Sequence, residues 1–181
     1  MTQAVATFGN PIADRAGAAA ILGVPEVAVA GTGLPVQVVS SGVPYLFVPL
    51  ATRAAVDNAY LRADAYEEFK ERSKVAATGV FVFSSEPGND KAAAYSRMFA
   101  PDFGIPEDPA TGSAGGPLGC YLVRHNVIAA QKAGSILNLQ GVKMGRPSHI
   151  HIALGFDGDT ISSVRVGGEA VLAGEGVLFV K

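Results

Sequence analysis

The chain has 181 residues, of which 49% are hydrophobic and 17% charged, and its formal net charge is −2. A chain of this length and composition can bury a substantial core as one domain or one and a half, which excludes a disordered protein. The 14 basic and 16 acidic residues are interspersed, and the absence of a basic stripe argues against a nucleic-acid partner or an anionic membrane.

The cysteine content and the hydropathy pattern favour a location inside the cell and outside the membrane. Cys120 is the single cysteine, so an intrachain disulfide framework is excluded and a reducing environment is favoured. No apolar run approaches the roughly 20 residues that a membrane helix needs. The N-terminal stretch MTQAVATFGNP has no basic region followed by an apolar core, as a signal peptide would have. We therefore expect a cytoplasmic protein.

Apolar periodicity and turn residues predict a mixture of helices and strands in the first hundred residues. Thr52 and Asp64 are expected as helix N-caps, and Gly23 as a C-terminal cap. The predicted elements, in chain order, are a helix at 14–23, a loop with a short extended piece at 24–35, strands at 35–41 and 45–50, helices at 52–60 and 64–72, and strands at 79–86 and 92–101.

After a predicted helix at about 113–125, β-strand signals dominate the chain. SHIHIAL (148–154) alternates with Ile150, Ile152 and Leu154 on one face, FDGDT predicts a hairpin turn, and ISSVRV alternates again. The closing GGEAVLAGEGVLFVK (167–181) predicts one or two further strands. The fold class is therefore α+β, with a mostly antiparallel sheet and one apolar helix against it.

The stretch GIPEDPATGSAGGPLGCYLVRHNV (104–127) carries the candidate site. Pro109 biases Asp108 towards an extended conformation, in which Glu107 and Asp108 point to opposite faces. They are therefore a poor acid/base pair with each other. Asp108 is nearer the helix start, so it is the site candidate. Glu107 is expected to face solvent or a structural partner, for which Arg146 is the hypothesis.

The small residues TGSAGG after this acidic pair allow a ligand to approach the backbone closely. Thr111 or Ser113 can cap the helix, and the free N–H groups at its start favour an anion such as a substrate carboxylate beside Asp108. Pro117 leaves the helix start open: a start at Gly112 places the proline inside the helix, and a start near Gly116 places it at the favoured first position. The alternative interpretation of the whole stretch is a plain turn and helix cap.

The remaining reactive side chains favour structural roles. Cys120 falls inside the apolar helix, which predicts a buried, inert thiol. His149 and His151 alternate on one strand face without a third ligand at a suggestive spacing, so no metal site is expected. His125 and Asn126 are typical of a helix C-terminus, where Asn tolerates a left-handed turn.

Several motifs together resemble the phenazine-biosynthesis isomerase (PhzF-type) family, whose members are relatives of diaminopimelate epimerase. The stretch EDPATGSAGGPLGCYL carries the strongest resemblance. PVQVVSSGVPYLFVPL, YSRMFAPDFGIPEDPATGSA, GVKMGRPSHIHI and VRVGGEAVLAGEGVLFV are similar to other family segments, in the same order. The resemblance implies the two-lobed epimerase fold, in which each lobe wraps sheet around a central helix and the substrate lies in the cleft between the lobes.

The resemblance also implies roles for individual residues. Asp108 would be the catalytic carboxylate, while Thr111, Gly112 and Ser113 would bind the substrate carboxylate, and neither cofactor nor metal would be needed. The family's proton-shuttling glutamate lies in a Ser-Glu-Thr-Thr-Phe-like motif of the first lobe, and this chain contains no such motif. We therefore expect residues 35–181 to be the second lobe and residues 1–34 a lead-in or interlobe segment, with the first lobe absent from this chain.

Two functions follow as alternatives. The first is a PhzF-type isomerase that moves a proton on a small carboxylated metabolite and is inactive until a first lobe is supplied. The second is a non-catalytic lobe that binds a carboxylate or a partner. A lone lobe would expose the apolar surface that normally meets its partner, so a homo-oligomer or a complex with a separate first-lobe chain is expected.

Overall fold

The computed structural model describes residues 1–180 and combines ten strands with five α-helices. Short 3₁₀ turns lie at Pro101–Phe103, Ala130–Lys132 and Val142–Met144. The strands are β1 (Thr2–Gln3), β2 (Thr7–Ile12), β3 (Val36–Ser40), β4 (Pro44–Pro49), β5 (Val80–Ser84), β6 (Ala94–Ala100), β7 (Ile105–Asp108), β8 (Ile136–Gln140), β9 (Ser148–Asp157) and β10 (Thr160–Gly167). The helices are α1 (Arg15–Ile21), α2 (Glu26–Ala30), α3 (Arg53–Asn58), α4 (Ala63–Ser73) and α5 (Gly112–Arg124).

All ten strands belong to one mixed, mostly antiparallel sheet, which runs in the order β1-β10-β9-β8-β6-β5-β4-β3-β2. Only β4 with β5 and β6 with β8 are parallel among the described pairs. β6 is shared, because its first residues pair with the end of β8 while Met98 and Ala100 pair with β7. The loop after β7 therefore begins where β8 stops, and this junction positions the candidate site.

The sheet curls around α5. β1 and β2 are the terminal strands of the sheet, yet only residues 4–6 separate them in the chain. Four peptide steps reach at most about 15 Å, so the two edges must approach each other. α5 lies inside the curl and contacts β9 and β10 on one side and β3 on the other. The predicted α+β lobe with a mostly antiparallel sheet around a central helix is confirmed.

Glycines allow the sheet to approach α5 closely. A Cβ on Gly119 would lie 2.7 Å from Ile152 Cγ2, and one on Gly115 would lie 3.0 Å from Val166 Cγ1. Glycine is unfavourable in a helix interior, so this part of α5 exchanges helix propensity for contact with the sheet. Gly115 and Gly116, which belong to the small residues that the sequence offers for ligand approach, thus serve packing against the sheet.

The two faces of the sheet carry separate apolar cores. The inner core surrounds α5 and includes Phe47, Phe81 and Tyr121. The outer core lies under α1 to α4 and includes Tyr66 and Phe69. Residues 1–34 supply β1, β2, α1 and α2 to this same body, so the lead-in segment is integrated with the rest of the lobe.

Three local predictions are wrong. The loop predicted at 24–35 contains α2, because Val29 is buried in the outer core and tertiary packing overrides the extended preference of its valines. Arg62, not Asp64, occupies the N-cap of α4, and Asp64 lies in its first turn. The strands predicted at 167–181 are absent among residues 168–180, which are exposed, because no strand of the lobe lies beside them; Lys181 is outside the described residues.

No helix within residues 1–180 is long and apolar enough to cross a membrane.

Candidate functional site

The acidic pair is divided between the two faces of the sheet. Asp108 stands directly opposite Met98, whose side chain belongs to the inner core, so Asp108 lies on the α5 face. Glu107 points the other way and receives two hydrogen bonds of 2.8 Å from the Arg97 guanidinium. The prediction of opposite faces is confirmed. The predicted partner is wrong, since Arg146 is exposed and Arg97 lies on the neighbouring strand.

Arg97 anchors the acidic strand to the outer helices. Its side chain is 8% exposed and that of Glu107 is 15% exposed, so this ion pair is largely removed from water. The two Nη1 hydrogens are satisfied as well, because Nη1 donates at 2.6 to 3.1 Å to the carbonyls of Val56, Asp57 and Ala59. A buried arginine that bonds both to Glu107 and to three backbone carbonyls holds β7 firmly at the start of the site.

Gln140, the last residue of β8, holds the loop between β7 and α5. Its side chain is fully buried, and its amide nitrogen donates to the Asp108 carbonyl at 2.7 Å and to the Thr111 hydroxyl at 2.9 Å. Its amide oxygen accepts from the Thr111 N–H at 3.2 Å. Gly141 follows with a φ of +78°, and a Cβ there would lie 2.6 Å from the Pro109 carbonyl oxygen. Only glycine lets β8 end so close to the acidic loop.

The Asp108 carboxylate bonds within its own loop. Oδ2 accepts from the Thr111 hydroxyl at 2.7 Å, and Oδ1 accepts a long 3.4 Å bond from the Ala110 N–H. Asp108 is half-buried, whereas Thr111 is buried and its hydroxyl already both donates and accepts. The structure thus gives Thr111 a supporting position. Oδ1 is the oxygen that remains most available to a ligand.

α5 begins at Gly112, with Thr111 at the N-cap position but without a side-chain capping bond. Pro117 therefore lies inside the helix, which resolves the two starts left open by the sequence. The Gly112 and Ala114 N–H groups bond to the Ala110 and Thr111 carbonyls, which leaves the Ser113 N–H without an acceptor among residues 1–180.

The side chains around this helix start come from distant parts of the chain. The Ser113 hydroxyl and the Tyr45 hydroxyl lie 2.8 Å apart, and Gln3 donates to the Gly112 carbonyl at 2.8 Å. A cleft of about 600 Å³ opens beside Gly112. It is lined by Met1, Ala110, Gly112, Pro147–Ile150 and Val166–Glu169.

The cysteine and the two histidines of β9 lie in positions that indicate structural roles. Cys120 is fully buried in α5, and burial raises the pKa of its thiol, in agreement with the predicted inert cysteine. His149 and His151 are exposed on the face opposite Ile150 and Ile152. Within residues 1–180, no group of three or more His, Cys, Asp or Glu side chains is arranged to hold a metal ion.

Sequence reasoning missed Arg97, Gln140 and Tyr45. A signal for Gln140 existed, because Asn138 and Gln140 alternate with Leu137 and Leu139 in β8. That alternation normally indicates a solvent-facing polar side. Both amides are instead fully buried against the α5 side of the sheet.

The curled lobe, with an acidic loop leading into a buried central helix, is the architecture of an epimerase-like lobe, and comparison with known proteins identifies the family. The profile of the family described as "Phenazine biosynthesis-like protein" (PhzC-PhzF) matches residues 3–176. The chain belongs to this family, and the resemblance inferred from the sequence motifs is confirmed.

Two curated relatives show how much of the family protein is present. The uncharacterized isomerase YddE of Escherichia coli K12 is 34% identical over 143 residues, which are 77% of this chain and 46% of that protein. The trans-2,3-dihydro-3-hydroxyanthranilate isomerase of Pseudomonas aeruginosa is 34% identical over 146 residues, 81% of this chain and 48% of that enzyme. The chain therefore spans about half the length of the curated relatives it matches.

Solved structures support the same fold. A Pseudomonas aeruginosa protein described as a predicted epimerase superposes with a TM-score of 0.71 and 29% identity, over 97% of this chain and 58% of that one. A Bacillus anthracis phenazine biosynthesis protein of the PhzF family superposes with a TM-score of 0.75 over 93% of this chain and 56% of its own. Its identity of 18% makes it evidence for the fold alone.

Proposed function

We propose that this chain is the carboxylate-binding lobe of a cofactor-free isomerase that moves a proton on a small carboxylated metabolite. The observation that carries the proposal is the placement of Asp108 on the inner face of the sheet, in the loop that leads into a buried 13-residue helix whose first residue, Gly112, lines a cleft. Family membership supports the isomerase class, and the named Pseudomonas relative acts on a carboxylated ring.

In this proposal the N-terminus of α5 binds the substrate carboxylate and Asp108 handles the proton. The positive end of the α5 dipole and the Ser113 N–H favour the substrate carboxylate. Asp108 Oδ1, held only by the long bond from Ala110, would hydrogen-bond the substrate and take or give the proton. Gln140 and Arg97 fix the position of Asp108 from either side of the loop, so little reorganisation is needed when the substrate binds.

Asp108 is the acid that the lobe holds in the loop before α5, and proton transfer between two positions of a substrate needs a second donor or acceptor held within hydrogen-bond reach. We expect that group in the half of the family protein that this chain does not match. The isolated chain should therefore bind a carboxylate without turning it over. The alternative, a non-catalytic binding lobe, is favoured by the local bonds that occupy both Asp108 oxygens.

The test uses 3-hydroxyanthranilate as the probe and the ¹⁵N-labelled chain. Binding should shift the amide signals of Gly112 and Ser113, and the corresponding amide compound, 3-hydroxyanthranilamide, should not bind. Asp108→Ala should weaken binding about tenfold, the loss expected for one hydrogen bond to a charged group. Asp159→Ala, at an exposed hairpin turn, is the matched control. Equal binding by the Asp108 variant and its control, or shifts remote from α5, would refute the site.

A further inference from the structure

The phenol of Tyr45 reaches the start of α5 from an interior strand of the sheet. β4 lies between β3 and β5, where Tyr45 pairs with Val39, and the next N–H, of Leu46, bonds to the Gly79 carbonyl at 2.9 Å. The Tyr45 side chain belongs to the inner core and is buried. Because its strand is paired on both sides and its ring is packed in the core, the Tyr45 hydroxyl has a fixed position.

The Tyr45 and Ser113 hydroxyls are hydrogen-bonded to each other. Their oxygens lie 2.8 Å apart, and either oxygen can be the donor by geometry alone. Among the described residues neither hydroxyl has a second hydrogen-bond partner. One of the two hydrogens lies between the oxygens, and the other needs an acceptor elsewhere. The direction of this bond therefore decides which hydroxyl keeps a spare hydrogen.

Burial decides the direction. Tyr45 is only 4% exposed, so a hydrogen turned away from Ser113 would be a buried donor without an acceptor, which is unfavourable. Ser113 is half-buried in the first turn of α5, where its hydrogen can be given to water or to a ligand. A phenol is also a stronger acid, and hence a stronger donor, than an aliphatic hydroxyl. Tyr45 therefore donates, and the spare hydrogen stays on Ser113.

This spare hydrogen belongs to a residue whose backbone N–H is also free among residues 1–180. The two oxygens of a carboxylate can accept from the N–H and the O–H of Ser113 together. A charged acceptor polarises the Ser113 hydroxyl and thereby strengthens the bond that it receives from Tyr45. The opposite direction would present the lone pairs of Ser113 to the anion and repel it.

We propose that Tyr45 is a positioning residue of the carboxylate site. By donating to Ser113 Oγ, it fixes the rotamer of Ser113 and makes the Ser113 hydroxyl a donor to the carboxylate. Tyr45 acts through Ser113 and not by contact with the substrate. The inference rests on the proposed function, because it concerns the same helix end.

A double-mutant cycle on 3-hydroxyanthranilate binding tests the proposal. Tyr45→Phe keeps the ring and should weaken binding about fivefold, and Ser113→Ala should weaken it about tenfold. Because Tyr45 acts through Ser113, the double variant should bind about as weakly as Ser113→Ala. Tyr121→Phe is the matched control: it removes a buried tyrosine hydroxyl of α5 that bonds to the Pro35 carbonyl at 2.6 Å, and it should leave binding unchanged.

A second measurement does not depend on the ligand. The three-bond couplings between Hα and the two Hβ atoms of Ser113 should be those of a single rotamer in the free chain. Tyr45→Phe should move them towards averaged values, since the Ser113 hydroxyl loses its partner. Tyr121→Phe should leave them unchanged.

The outcomes separate this proposal from the proposed function. Binding that depends on Asp108 but is the same in Tyr45→Phe and the original chain would overturn the role of Tyr45 alone, as would unchanged Ser113 couplings. Independent losses in the double variant, or an equal loss in Tyr121→Phe, would mean that Tyr45 only stabilises the helix. If 3-hydroxyanthranilate does not bind the original chain at Gly112 and Ser113, the proposed function fails, and the role of Tyr45 falls with it.

Discussion

The two ends of α5 are built in different ways. At the C-terminal end, the His125, Asn126 and Val127 N–H groups bond to carbonyls four, three and five residues earlier, and Asn126 has a φ of +57°. At the N-terminal end, Gly112 and Ser113 bond to Gln3 and Tyr45, which lie about a hundred and about seventy residues away in the chain. The backbone N–H groups at the C-terminal end are closed by local carbonyls, and of its side chains the His125 ring lies 3.1 Å from Gln37 Oε1. The helix start, in contrast, takes its partners for Gly112 and Ser113 from distant parts of the lobe.

The two ends of α5 therefore have different roles: the C-terminal end terminates the helix, and the N-terminal end belongs to the candidate site. The C-terminal end has the left-handed cap that is common in helices of every kind, and the His125 ring packs at a tilt against the Tyr121 ring, with the ring centroids 4.4 Å apart. Among the described residues, the N-terminal end keeps a free N–H at Ser113 and has a cleft beside Gly112, while Arg97 and Gln140 hold the loop that precedes the helix. Polar bonds from distant strands thus stabilise an open helix end.

The largest expected effect comes from breaking the N-terminal end at Arg97. Arg97→Met leaves Glu107 as a buried, unpaired carboxylate and removes the donor from three carbonyls, so the free energy of unfolding should fall by about 3–5 kcal/mol. Chemical denaturation measures this change. Arg165→Met, an exposed arginine on β10, should change it by less than about 0.5 kcal/mol. Similar unfolding midpoints for the two variants would contradict an anchoring role for Arg97.

A smaller effect is expected at Gln140. Gln140→Leu conserves volume approximately but leaves the Thr111 N–H and the Asp108 carbonyl without their partners, which should cost about 1–3 kcal/mol. The variant should also bind 3-hydroxyanthranilate more weakly, since the loop that positions Asp108 loosens. Gln131→Leu, at an exposed site, is the control. Unchanged stability together with unchanged binding would show that the loop between β7 and α5 keeps its conformation without Gln140.

The smallest effect concerns the C-terminal end and pH. Burial, with a smaller contribution from the neighbouring Arg124 charge, lowers the pKa of His125 below its ordinary value of 6.5. The unfolded chain therefore binds more protons between the two pKa values. Stability is full above pH 6.5, falls as the pH drops through that interval, and stays reduced below it.

His125→Gln should remove this part of the pH dependence in unfolding experiments at a series of pH values. His151→Gln, at an exposed site on β9, should leave it in place. If both variants retain the full dependence, the acid sensitivity of the lobe arises elsewhere.

The sequence predicted most elements and the local logic of the acidic pair. Pro109 and the extended backbone were enough to infer that Glu107 and Asp108 face opposite sides. The Arg97 pair and the Gln140 bonds escaped prediction, because they depend on β6 pairing with both β7 and β8. The sequence left the helix start open between Gly112 and Gly116. The spacing of residues along the chain does not show that one strand pairs with two different strands.

The roles of individual site residues, the assignment of residues 35–181 to the second lobe, the cytoplasmic location and the oligomeric state stay predictions. The structure bears on one of them by burying Thr111 in bonds to Asp108 and Gln140, so Gly112 and Ser113 are the remaining candidates for contact with a ligand at the helix start.

By itself, the sequence determined the family, the α+β class, the helix α5 and the position of its acidic lead-in, because these depend on local periodicity, on turn residues and on contiguous motifs. Tertiary structure alone decided which charged and amide side chains hold that lead-in, and it left residues 168–180 without a neighbouring strand. A β-strand is stable only beside another strand. A strand-like sequence therefore forms a strand only where the rest of the fold provides a neighbour for it to pair with.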